Sequence, residues 1–114
     1  MRQELLTKEL REMLPPLYSQ DGKGMEATAY AKFFHAYGAG EWFATEFDGD
    51  DTFFGWAQHV GGYPGGEWGY FSLSEMESVE ARINGRVIAG LQAIERDIHF
   101  SPARLCEIKE IDLG

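Results

Sequence analysis

No lysine or arginine occurs between Phe33 and Ala81, yet that gap contains nine acids: Glu41, Glu46, Asp48, Asp50, Asp51, Glu67, Glu75, Glu77 and Glu80. Outside it ten acids balance ten bases, so the whole formal charge of −9 comes from the middle of the chain. That balance disfavours direct nucleic-acid binding, which needs clustered Lys and Arg against phosphate. Cysteine is nearly missing too. Cys106 stands alone, which excludes an internal disulfide and points to a reducing cytoplasm. Inside A-R-L-C-E-I the thiol reads as a small core residue. Apolar runs of only a few residues exclude a membrane-spanning helix. The start M-R-Q-E-L-L-T-K-E-L has too short an apolar stretch, and acids too early, for a signal peptide.

The signatures of familiar chemistry are also missing. His35, His59 and His99 are not at H-x-H or H-x-x-x-H spacing, and H-E-x-x-H, G-x-S-x-G, P-loop and dinucleotide fingerprints are absent. G-G-Y-P-G-G lacks the following Lys-Ser or Lys-Thr and helix of a phosphate cradle. No residue is assigned a catalytic role, and no cofactor or metal is expected.

What is present is a chain of 114 residues, 44% hydrophobic and 14% aromatic, which fits one folded domain. Thr7 can cap a helix whose Leu6, Leu10, Met13 and Leu14 recur at helical spacing, and Pro15-Pro16 stops it. Strands are predicted at 29–35, at E-W-F-A-T-E-F, at T-F-F-G-W-A-Q-H-V and at E-W-G-Y-F-S-L, with D-G-D-D turning the middle pair. Ser72 with Glu75 forms a capping-box pattern, opening a short helix that Asn84-Gly85 would stop in left-handed geometry. I-E-R-D-I-H-F (94–100) reads as a last strand, and Ser101-Pro102 as the start of a short C-terminal helix. The expected fold is α+β: a small, mostly antiparallel sheet of four to five strands, with an N-terminal, a central short and a C-terminal short helix.

Two candidate sites follow. In E-W-F-A-T-E-F, alternation puts Trp42, Ala44 and Glu46 on one face. In the last strand it puts Arg96 among Ile94, Ile98 and Phe100. A buried arginine must find a carboxylate or carbonyls, so Glu46 and Arg96 are predicted to meet, as an ion pair or as a pocket that clamps an anionic group. The second site is the acidic run itself. Glu41, Asp48, Asp50, Asp51, Glu67, Glu75, Glu77 and Glu80 would gather into one surface that draws a basic partner. D-G-D-D fails the EF-hand pattern, since the sixth residue from Asp48 is Phe53 and the twelfth is His59. It reads first as a solvated hairpin tip, with an improvised divalent-cation site as the alternative.

The strings L-T-K-E-L-R-E-M-L, A-K-F-F, W-F-A-T-E-F-D-G-D-D-T-F-F-G, G-Y-F-S-L-S-E-M-E-S-V and A-I-E-R-D-I-H-F together resemble the bacterial domain-of-unknown-function family DUF2958, over most of the chain. The resemblance implies a small cytoplasmic protein carried on plasmids, conjugative elements or phage-like islands, and it assigns no activity. Its motifs overlap Glu46, Asp48, Glu75, Glu95, Arg96 and Asp97. Three readings stand. The first is a non-enzymatic protein whose carboxylates occupy positions that phosphates would take on a basic nucleic-acid-handling or defence protein. The second is a small ligand- or metal-binding enzyme using a pocket at Arg96 and Glu46. The third is a homo-oligomer, such as a homodimer, whose exposed aromatics are the self-interface.

Overall fold

The computed structural model describes residues 2–114. Helix α1 runs Lys8–Met13, with the Thr7 hydroxyl accepting from the Leu10 N–H. It ends at Leu14, whose ψ of 123° is the extended conformation forced on a residue that precedes proline. The strands are β1 (Thr28–Ala29), β2 (Ala31–His35), β3 (Glu41–Phe47), β4 (Thr52–Gln58), β5 (Gly66–Ser72), β6 (Glu80–Ile83), β7 (Arg86–Gln92), β8 (Ile94–Arg96) and β9 (Ala103–Arg104); helix α2 (Leu73–Ser78) lies between β5 and β6. Among the described residues, five strands form one antiparallel sheet in the order β5-β4-β3-β2-β8, and β1 with β9 and β6 with β7 make two-stranded ribbons. The fold is a small α+β fold.

Both faces of the sheet are covered. On one, Phe33, Ala44, Phe47 and Phe53 pack under Leu5, Leu6 and Leu14 and under Leu73 and Met76 of α2. On the other, Phe43 and Trp56 pack with Ala29 and Leu105, flanked by Met25, Phe100, Ile108 and Ile111.

The middle of the sheet carries an irregularity that alternation does not predict. The β3–β4 register shifts between Ala44 and Glu46, so Thr45 is an extra residue, and its hydroxyl donates to the Phe54 carbonyl at 3.0 Å. A bulge of this kind reverses the facing of everything beyond it. Ala44 and Phe47 thus share the α1–α2 side, while Glu46 faces the other side, beside Phe54 and Trp68. Gly55 sits under the bulge, where a Cβ would lie 1.9 Å from the Phe43 carbonyl oxygen. Only glycine fits there.

Glutamine amides tie coil segments to this frame. Gln20 accepts from the Thr28 N–H and donates to the carbonyls of Thr28 and Thr45. Gln3 does the same to Arg96, taking its N–H and C=O, and Gln92 does it to Gln3. Gln58, 1% exposed, accepts from Asp112 N–H and from the Trp56 indole, and donates to Glu110 C=O and Glu41. Each amide presents one donor and one acceptor side by side, as a strand residue does. No buried side-chain nitrogen or oxygen of the described residues lacks a partner.

Three predicted elements differ in form. The central helix stops at Ser78 rather than continuing to Asn84. Asn84 (φ 52°) and Gly85 (φ 76°) instead turn the β6–β7 hairpin, because two positive-φ residues are what a type I′ turn requires and Ile83, Val87 and Ile88 favour strand. The strand expected at 94–100 ends at Arg96, where the Asp97 carboxylate accepts from His99 N–H and bends the chain. The expected C-terminal helix is a single 3-10 turn, Leu105–Glu107, preceded by β9.

Candidate functional site

At one end of the α2-covered face, the sheet opens into a groove of about 810 Å³. Strand geometry supplies its floor: Trp42 on β3, Phe71 on β5 and Ile94 on β8, with Met76 of α2 beside them. Glu75 and Val79 of the α2 segment, and Glu80 and Arg82 of β6, form one rim. His35, Tyr37 and the Val60–Gly62 turn form the other. His35 Nδ1 accepts from the Tyr37 N–H at 3.2 Å, which makes Nε2 the protonated nitrogen of the neutral ring.

Helix α2 is placed by the acidic turn. The Asp51 carboxylate accepts from the Ser72 hydroxyl and the Ser74 N–H, and Ser72 in turn caps the helix by accepting from Glu75 N–H. These bonds hold Asp51 below the usual carboxylate range, the Ser72 hydroxyl contributing most. Asp48 is lowered as well, by the backbone N–H groups of Asp50, Thr52 and Asp51 that converge on it. D-G-D-D is therefore a hairpin turn wired into the helix start. Among the described residues no group of three or more His, Cys, Asp or Glu is placed to hold a metal ion.

Glu46 and Arg96 do not meet. Glu46 is 3% exposed and spends its two oxygens on the N–H groups of Tyr18 and Gln20, each at 2.8 Å. Arg96 donates instead to the carbonyls of Glu4 and Leu5. The bulge at Thr45 is the cause, because it turns Glu46 away from the face that Phe33 and its partner Arg96 share. Arg96 does find carbonyls, as its position demands. Neither an ion pair nor a shared pocket joins the two residues.

The acids of the central run divide by what binds them. Glu41 pairs with Lys32 at 3.2 Å, and Glu80 accepts from the Gly90 N–H. With Asp48 and Asp51 in the turn, Asp50, Glu67, Glu75 and Glu77 remain: exposed, and with carboxylates that make no hydrogen bond or ion pair to the described residues. Glu67 lies on β5, and Glu75 and Glu77 lie on α2. The eight acids come from β3, the β3–β4 turn, β5, α2 and β6, and four of them are engaged by neighbouring groups.

His59, held at φ 57°, bonds Asp112 at 2.8 Å and lies 3.7 Å from Glu41. His59, with the N–H groups of Gly114 and Gly65, draws the Asp112 carboxyl down to about 2. Cys106 is exposed rather than buried, because it lies on the 3-10 turn with its thiol toward Glu26, and that hydrogen bond pushes the thiol up.

The family of proteins of unknown function DUF2958 has a model that matches residues 5–108. The chain belongs to this family. No curated protein and no solved structure matches it. In this family member the strings W-F-A-T-E-F-D-G-D-D and I-E-R-D fold into the bulge, the turn and the capped edge strand. Four acids of those strings have structural partners: Glu46, Asp48, Asp51 and Asp97, the last 3.8 Å from Lys32. Sequence reasoning singled out Glu75 and Glu80 but missed His35, Tyr37, Met76, Arg82 and Ile94 as groove residues. Four separate elements bring those together, and no local spacing records it.

Proposed function

We propose that this domain is a non-enzymatic binding protein for a basic partner protein, and that the groove beside α2 receives a lysine or arginine side chain of that partner. The observation that carries the reading is the pairing of an aromatic floor, Trp42 and Phe71, with the unpartnered Glu75 carboxylate at the rim. A cation over an aromatic face and beside a carboxylate gains from both. The absence of any lysine or arginine between residues 33 and 81 leaves this ground free for a partner's charge. Arg82 stands on the same rim as Glu75 and donates to its own hairpin at Gly85 C=O. The exposed carboxylates of Asp50 and Glu77 add to the field that steers a basic partner. The mobile-element setting implied by the family resemblance supplies cytoplasmic partners of the right charge, among them nucleic-acid-handling and defence proteins.

Titration with a lysine- and arginine-rich peptide, read by tryptophan fluorescence and by anisotropy of a labelled peptide, tests the proposal. Wild-type protein binds it with an affinity that falls steeply as salt rises. Glu75→Gln with Glu80→Gln weakens binding by about tenfold, equivalent to about 1.4 kcal/mol. Trp42→Ala weakens it similarly, whereas Glu67→Gln, outside the groove, leaves it unchanged. Equal binding by wild type and the double glutamine variant sinks the proposal.

A further inference from the structure

The sheet has two edges and treats them differently. At β8, three residues long, the Gln3 amide occupies the N–H and C=O of Arg96. At β5, seven residues pair with β4 in unbroken register, and among the described residues no other backbone hydrogen bond involves positions 66–72. Edges left open are commonly guarded by lysine, proline or a bulge. Strand β5, Gly-Glu-Trp-Gly-Tyr-Phe-Ser, has none of these and a single charge, Glu67.

The direction of each backbone group on β5 follows from its neighbours. His59 N–H donates to Gly65 C=O, which aims Gly65 at the β4 side. Strand alternation then turns Glu67, Gly69 and Phe71 inward and Gly66, Trp68 and Tyr70 outward. Strand β4 agrees independently. Thr52 and Phe54, the partners of Ser72 and Tyr70, have their carbonyls taken from the β3 side by Asp48 N–H and the Thr45 hydroxyl.

We propose that β5 is a self-association edge, at which a second copy of this chain pairs antiparallel about a two-fold axis beside Gly69. This register opposes Trp68 to Tyr70 of the second copy and Gly66 to its Ser72, so every outward residue faces an outward residue. Registers shifted by two positions leave some of them unpaired. Glu67 falls opposite Phe71, so no carboxylate faces its image, and at the axis glycine meets glycine. Trp68 and Tyr70 already pack on Phe54, with ring centroids 5.8 and 5.0 Å away. Tyr70 is nonetheless 57% exposed, and the second copy's Trp68 covers it, as cross-strand aromatic pairs do. The interface is small beside the roughly 1,600 Å² of a standard complex, and two chains of charge −9 repel. Association is therefore concentration-dependent and grows as salt screens the charge.

Sedimentation equilibrium across the micromolar range, at low and high salt, tests the pairing. A reversible dimer that strengthens with salt is expected, and Tyr70→Lys abolishes it. The register has its own test. An added Cβ at Gly69 meets nothing within 4 Å, and opposed non-hydrogen-bonded residues lie about 4.5 Å apart at Cα, within disulfide reach. Gly69→Cys in a Cys106→Ser background forms a covalent dimer on mild oxidation. A chain that stays monomeric and uncrosslinked throughout, or an association indifferent to Tyr70→Lys, overturns the proposal. Glu75→Gln with Glu80→Gln leaves the dimer intact, and salt acts on it with the opposite sign to peptide binding. The two proposals therefore fail separately.

Discussion

Glu46 is the most deeply buried acid of the central run, and its work is architectural. Its two oxygens hold the N–H groups of Tyr18 and Gln20, and Tyr18 sits at φ 73°, a conformation costly for any residue with a side chain. The carboxylate thus fixes a strained turn that would otherwise relax. Glu46→Gln keeps the shape but offers one acceptor oxygen in place of two, and its amide turns a donor on a donor. We expect a loss of about 2 kcal/mol, read by urea unfolding, with peptide binding in the groove unchanged. A variant as stable as wild type contradicts this role.

At the level of elements, two glycines make a controlled comparison. Gly55, with Phe43 C=O 1.9 Å from where a Cβ would be, cannot be replaced without moving the bulge. Gly69, opposite it on β5, has open space. Gly55→Ala is expected to destabilise by about 3 kcal/mol, through overpacking. Gly69→Ala is expected to be neutral or to stabilise by up to about 1 kcal/mol, since glycine weakens a strand interior. Thermal unfolding of both variants distinguishes them. The same contrast explains what was legible beforehand. The Thr7 cap, the Pro15-Pro16 stop, the D-G-D-D turn and the Ser72 cap are local signals, and they read correctly. Asn84-Gly85 was ambiguous in kind, because positive φ serves both a helix stop and a hairpin turn. The Thr45 bulge left no mark on an alternating string, and one unseen residue was enough to misplace Glu46 relative to Arg96. The glutamine ties of Gln3, Gln20, Gln58 and Gln92 were invisible for another reason. Each joins segments whose proximity only the finished fold creates.

For the molecule as a whole, charge is arranged by use rather than spread evenly. Within the central run, four acids fix turns, a hairpin or an ion pair and Glu46 fixes a loop, while Asp50 of the turn, Glu67 of β5 and Glu75 and Glu77 of α2 are left to solvent. The tail is held by an acid outside that run. Asp112 accepts from Gly65 N–H and meets His59, and its carboxyl is lowered to about 2 from an unfolded value near 3.8. A depressed value means the folded state favours the ionised form, so this contribution is complete above about 3.8 and fades as pH falls toward 2. A carboxyl-detected NMR titration should place the Asp112 midpoint near 2, with the Gly65 amide shift following the same curve. A midpoint at the unfolded value would mean that the tail is not held in this way.

The neutrality of the glutamine ties has a practical corollary. Side-chain amides do not ionise across the pH range of ordinary buffers, and mobile ions have no net charge on them to screen. The joints that fasten the terminal segments and the Tyr18–Thr28 loop should therefore hold as the electrolyte is varied. Ionic strength then becomes a selective probe of this molecule: it acts on the exterior and on charged contacts such as Asp112 with His59, and leaves the amide joints fastened.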